Sequence, residues 1–251
     1  HSTDSTVHLQ FGFAAEKLGD GLASAINEAL SKYALRPQRM VIRSIDSKEW
    51  SEEWKKGYKP LAMGGRLLVR PPWCHAPSTR MRPPIYIQPK LGFGNGHVTT
   101  HLCLEFMEEI ASGPRILDIG TGSGVLSIGS APIMPDCQVT AIEIDPAVCE
   151  VARENFQINN VADRIVLLEG SIFQLDPGIE FDTIFCNLSC PVNCDLASTY
   201  EDRLNPGGHV IMGGILNEDL HKLEESMAKT NLQILEKRER DAWTCVVARR
   251  N

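Results

Sequence analysis

No stretch of this 251-residue chain strings together the roughly 18 apolar residues that a membrane-crossing helix requires, so no membrane span is expected. Positive charge is in short supply as well. Lys and Arg number 25 against 32 Asp and Glu, a net charge of −7 that disfavours a broad nucleic-acid-binding face and suits a cationic partner such as a protein amine. The opening HSTDSTVHLQ carries neither the basic nor the apolar segment of a secretory leader, and a cytoplasmic location is expected. A chain of this length needs no covalent stapling, and several of its eight cysteines fall in expected strands or helices, so they read as reduced thiols. Two phosphate-binding signatures are missing too. The glycine loop in ILDIGTGSGV (116–125) is G-x-G-x-G, with Val125 where a dinucleotide fold wants its third glycine. No lysine follows it, which excludes a G-x-x-x-x-G-K-[ST] loop.

Strand and helix signals are plentiful. A strand is expected at 7–13, an amphipathic helix at 14–34 and a second strand at 39–45, a βαβ-like fragment spanning 1–49. Residues 50–96 read as a linker holding a short helix (50–60, stopped by Pro60) and two proline-punctuated strands at 66–70 and 84–88. The third region, 97–251, opens on a helix whose start offers Thr99 and Thr100 as caps. Strands then fit 115–119, 138–143, 164–169 and 181–186, with helices at 123–131, 146–159 and 192–204. A turn at LNPGG, strand HVIMGGI, a helix at 217–229 and strands at 231–238 and 243–249 complete the chain. Such alternation predicts an α/β fold with a mostly parallel, Rossmann-like sheet covered on both faces, and the short last turn predicts an antiparallel end.

What the glycine loop holds follows from its neighbours. Asp118, two residues before Gly120, would repel a pyrophosphate, yet would attract an ammonium group or brace the loop amides. Glu143 ends the next strand, where doubly wound folds place an acid against ribose hydroxyls; Asp145 shares its face by period 2 and competes for the role. Gly120, Gly122 and Gly124 with this acid predict a site for S-adenosylmethionine, an adenosine that carries a charged amino-acid tail and no phosphate. A generic glycine turn without a methyl donor is the plainer alternative.

The segments WSEEWKKGYKP, FGNGHVTTHLCLE, ILDIGTGSGVLSI, IEIDPAVCEVARENFQINNVADRI, FDTIFCNLS, LNPGGHVIMGGIL and DAWTCVVARR resemble the PrmA-type methyltransferases, over about four fifths of the chain. The resemblance implies a seven-stranded class I methyltransferase sheet ordered 3-2-1-4-5-7-6, and methyl transfer to amino groups of a large-subunit ribosomal protein. It further implies S-adenosylmethionine contacts at Thr100, Gly120, Glu143 and Asn187. Ile144, next to Glu143, joins the cofactor set, as do Ser171, where relatives often place an acid on the adenine amine, and Ile172, set against the ring. The family's F-G-T-G-T-H-P-T-T is FGNGHVTT here, one residue shorter, and its D-P-G becomes Gln88-Pro89-Lys90.

Catalytic candidates are Asn187, which orients the methionine portion or the acceptor nitrogen, and His97, which lines the acceptor channel or takes the amine's proton. The plainer roles are a turn-capping Asn and a helix-start His. NLSC lacks the aromatic ring of N-P-P-Y, which weakens a nucleobase acceptor. Cys186, Cys190 and Cys194 lack the spacing of a radical-enzyme cluster, so no metal is expected; Trp243 reads as packing or as an active-site wall. The expected activity is protein N-methylation on a lysine side chain or α-amine. Its competitors are a small-molecule N- or O-methyltransferase and a donor-binding module without turnover.

Overall fold

The computed structural model describes residues 22–31, 59–74, 84–88 and 96–251. The expected strands at 7–13 and 39–45 lie outside the described residues, as does the short helix from 50 except for Lys59 and Pro60, which are neither helix nor strand. The chain divides into two compact units, His1–Gly57 and Tyr58–Asn251. Of the first, the described part is helix α1 (Leu22–Ser31), inside the expected 14–34.

The second unit opens with a small sheet, β1 (Leu61–Met63), β2 (Leu67–Arg70) and β3 (Pro84–Tyr86). β1 and β2 form an antiparallel hairpin, and β3 adds parallel to β2. β1 was not expected, because three residues are too few for an alternation to register. Met63, Leu67, Val69, Ile85 and Ile87 are all buried in the same apolar cluster as the main domain's first helix, so β1, β2 and the segment 84–88 contribute core side chains.

Helix α2 (Val98–Ile110) leads into β4 (Arg115–Ile119), α3 (Val125–Ile133), β5 (Gln138–Glu143), α4 (Pro146–Ile158), β6 (Ile165–Glu169) and β7 (Phe181–Asn187). The expected helix at 192–204 is two helices, α5 (Cys190–Asp195) and α6 (Ala197–Arg203), which meet at Leu196. β8 (Leu204–Leu216) takes in the LNPGG that reads as a turn. The two readings reconcile in the register, where Phe181 faces Leu204 and Thr183 already faces His209, so Asn205–Gly208 bulge out of the pairing. After a 3₁₀ turn at Asn217–Asp219 come α7 (Leu220–Met227), β9 (Leu232–Arg240) and β10 (Trp243–Arg250).

The seven long strands order as β6-β5-β4-β7-β8-β10-β9, which is 3-2-1-4-5-7-6 when counted from β4. β10 alone runs against both its neighbours. Side-chain alternation feeds a core on each face: Ile116 and Val139 join α2, α3 and α4, while Leu117 and Ile142 join α6 and α7. Because β4 to β8 are parallel, their C-terminal ends share one edge, and a ligand crevice forms there. Among the described residues, no helix is long and apolar enough to cross a membrane.

Candidate active site

The glycine loop follows β4 with all three of its glycines at positive φ (Gly120 69°, Gly122 56°, Gly124 83°), a conformation that side chains resist. A Cβ at Gly120 would stand 2.6 Å from Leu188 Cδ2, and one at Gly124 would overlap the Phe156 ring. The loop's first amides, on Gly120 and Thr121, both donate to Ile142 O at 2.9 Å.

Asp118 lies beneath this loop, 1% exposed. Its Oδ2 accepts from Thr121 Oγ1 (2.7 Å), Ser127 Oγ (2.6 Å) and Ser127 N (3.2 Å), while Oδ1 is buried without a hydrogen-bonding partner. Of the two roles open to it, this geometry supports bracing the loop. Burial raises its carboxyl above the ordinary 3.8, more than the Ser127 and Thr121 hydrogen bonds lower it, and the nearby Glu143 charge adds to the rise.

Glu143 ends β5 half-buried. Its Oε2 accepts from Gly122 N (3.0 Å), and its Oε1 from Ile144 N (2.9 Å) and Asp145 N (3.2 Å). Asp145 is occupied differently: it caps α4 by accepting from Ala147 N at 2.8 Å. Glu143 is thus the acid bonded to the glycine loop, and Asp145 is the acid bonded to the helix start. Ile144 stands 75% exposed.

At the end of β6, Ser171 opens a capping box: it accepts from Phe173 N at 3.5 Å, and its own N–H donates to Gln174 Oε1 at 2.8 Å. The 3₁₀ turn that follows corrects the expectation for Ile172. Its side chain turns inward, 3% exposed, into the core with Leu117 and Ile142, and Phe173, 73% exposed, is the apolar side chain standing free at this edge.

Asn187 ends β7 and donates from Nδ2 to Thr100 Oγ1 at 3.1 Å, which joins two of the expected residues across 87 positions. Thr100 is fully buried in the first turn of α2. Asn187 Oδ1 is buried and accepts no hydrogen bond. His97, not Thr99 or Thr100, is the N-cap of α2: its Nδ1 accepts from Thr99 N at 3.4 Å and lies 2.9 Å from Thr99 Oγ1. The ring meets Trp243 edge-on, with centroids 4.9 Å apart. Cys186 is buried at the end of β7, Cys190 and Cys194 sit on α5 with their sulfurs 3.8 Å apart, and all eight cysteines are free thiols.

Sequence reasoning missed Asn155. This buried side chain on α4 donates to Ser123 O in the glycine loop (2.8 Å) and accepts from Gln88 N just after β3 (2.9 Å). Its one visible signal was Asn159, a helical turn further on, which clips Tyr86 N at 2.7 Å.

A 3-2-1-4-5-7-6 sheet with an Asp-braced glycine loop and an acid closing the second strand is that of a class I methyltransferase using S-adenosylmethionine. Comparison with known proteins narrows the class. A sequence model described as "Ribosomal protein L11 methyltransferase (PrmA)" matches residues 4–251. The ribosomal protein L11 methyltransferase of Pelobacter propionicus is 35% identical over 219 residues, 84% of this chain and 70% of that protein. Its namesake in Carboxydothermus hydrogenoformans is 34% identical, with 91% and 75% covered. The crystal structure of the ribosomal protein L11 methylase from Lactobacillus delbrueckii subsp. bulgaricus superposes with a TM-score of 0.71 at 29% identity, covering 77% of this chain and all of that one. The chain belongs to the PrmA family and is an S-adenosylmethionine-dependent methyltransferase.

Proposed function

We propose that this enzyme methylates amino groups of ribosomal protein L11, on lysine side chains or the α-amine, the acceptor carried by the names of its relatives. A ribosomal acceptor fits the cytoplasmic location expected from the sequence. The observation that carries the site assignment is the buried, unpartnered Asn187 Oδ1. A buried acceptor without a donor is costly, about 1–3 kcal/mol, and an ammonium N–H from the donor's amino-acid end relieves it. Thr100, already bonded to Asn187 and set in the first turn of α2, suits the carboxylate of that same end.

Glu143 would receive the ribose hydroxyls, its carboxylate held in place by three backbone N–H groups. Ile144 and Phe173 would flank the adenine, with Ser171 at its polar edge, while Asp118, Gly120, Gly122 and Gly124 hold the loop open for the sulfonium. When bound, S-adenosylmethionine supplies an electrophilic methyl group on sulfur. His97 and Trp243, whose rings meet edge-on, would border the acceptor side, the former to take a departing proton and the latter to exclude water. An amine with a reference pKa of about 10.4 must arrive neutral, so methylation should accelerate with pH.

Incubation with radiolabelled donor and recombinant L11, followed by peptide mass mapping, tests the proposal. Label is expected on L11 amines, and the mapped positions separate lysine from the α-amine. Label only on small solutes of a cell extract would establish the small-molecule reading. Donor binding without any transfer would leave a binding module.

A further inference from the structure

The loop that carries Asn187 is held by groups that no sequence motif marks. Leu188 and Ser189 join β7 to α5, and the side chain of Asn193, on α5, reaches back to both. Asn193 Nδ2 donates to Leu188 O at 3.0 Å and Ser189 O at 3.2 Å, and crosses to Gly213 O of β8 at 3.1 Å. Its Oδ1 accepts from the Tyr200 hydroxyl at 3.0 Å. Asn193 and Tyr200 are both fully buried. Burial also pushes the Tyr200 phenol well above its ordinary range, which keeps it a donor.

On its far side the same loop is wedged. A Cβ at Gly213 would lie 2.5 Å from Asn187 Oδ1, and one at Gly214 would overlap Leu188 O, so β8 can approach only through glycine. Leu188 Cδ2 in turn fills the space that a Cβ on Gly120 would need. The loop therefore touches the glycine loop on one side and β8 on the other. An Asn that only capped its own helix would stop at Leu188 and Ser189. The bond to Gly213 O, 20 positions on, makes it a cross-link.

We propose that Asn193, oriented by Tyr200, is a positioning residue that fixes Asn187 Oδ1 and the Leu188 wedge in the donor site. The proposal rests on the reading that Asn187 contacts the donor. Calorimetric titration of the full chain with S-adenosylmethionine tests it in a double-mutant cycle of N187A, N193D and their combination. N193D keeps the shape but turns oxygen toward three carbonyls. N187A and N193D are each expected to weaken donor binding about tenfold, and the pair no more than about twofold beyond N187A alone.

Losses that multiply, or an N193D that binds normally, overturn the positioning role while leaving Asn187 in the site. An N187A that binds normally removes the site reading itself, and the proposal with it. A residue that merely stabilised the fold would lower the melting temperature without this coupling. Should N193D fail to fold, Y200F takes its place. It is expected to weaken binding about threefold, without adding to N187A, and unchanged or multiplying affinity overturns the proposal.

Discussion

The donor half of the site and the acceptor half are assembled by different kinds of contact. Around the glycine loop the bonds are short in sequence: Thr121 to Asp118 spans three positions, Ser127 to Asp118 nine, and Gly122 to Glu143 twenty-one. Beyond the loop, Asn187 reaches Thr100 across 87 positions at the proposed amino-acid end of the donor, and on the acceptor side His97 finds Trp243 at the opposite end of the domain. The first half is a property of one βαβ unit. The second exists only once β7, β8 and β10 have paired around α2. Variants in the two halves should therefore fail differently: donor-half changes in affinity for S-adenosylmethionine, acceptor-half changes in turnover with the donor still bound.

The largest effect is expected from G124A. A side chain there adopts φ 83° and overlaps Phe156, so urea unfolding should show a loss of about 3 kcal/mol together with abolished donor binding. G207A supplies the control. Gly207 has φ 79° but open space around it, so only the backbone strain of about 1 kcal/mol should appear, with donor affinity intact. Equal losses in both would mean that crowding at the loop contributes nothing.

Next in size is E143Q. It removes a charge that three backbone amides support and that is proposed to receive the ribose, and should weaken S-adenosylmethionine by about 2 kcal/mol, roughly thirtyfold, while protein melting moves little. Unchanged affinity would place the diol elsewhere. A smaller and differently placed effect is expected from H97A. Turnover on the acceptor should fall about tenfold, with the donor dissociation constant within about twofold of wild type. Loss of donor binding in step with turnover would erase the division between the halves.

The same division sets what the sequence could reveal. The strand–helix alternation, the glycine loop and the pair of acids at Glu143 and Asp145 were legible as local patterns, while the sheet order was implied only by the family resemblance. Which of the two acids meets the glycine loop was not legible, since period 2 puts both on one face; the loop bond of Glu143 and the N-cap bond of Asp145 to Ala147 tell them apart. Ile172 misled for a related reason: which of two adjacent apolar residues faces inward depends on the 3₁₀ turn after β6. Asn193 was invisible, and Asn155 had only Asn159 to betray it. Each is an ordinary Asn on a helix whose partners are backbone groups brought in by tertiary pairing, and such partners leave no trace in residue type.

The smallest expected effect probes how the two acids of the donor half interact. Burial raises the folded-state carboxyl of Asp118 above its ordinary 3.8, so its contribution to stability is present below that value and is lost as pH rises through the raised one. D118N has no charge to bury. The stability of wild type relative to D118N should therefore fall as pH rises above about 4, measured by urea unfolding at each pH. Because the Glu143 charge adds to the rise, the same comparison in an E143Q background should show a shallower fall. A difference independent of pH would mean that the hydroxyls of Thr121 and Ser127 fully offset burial. Asp118 would then be a carboxylate as comfortable inside the loop as in water, and its coupling to Glu143 would vanish with it.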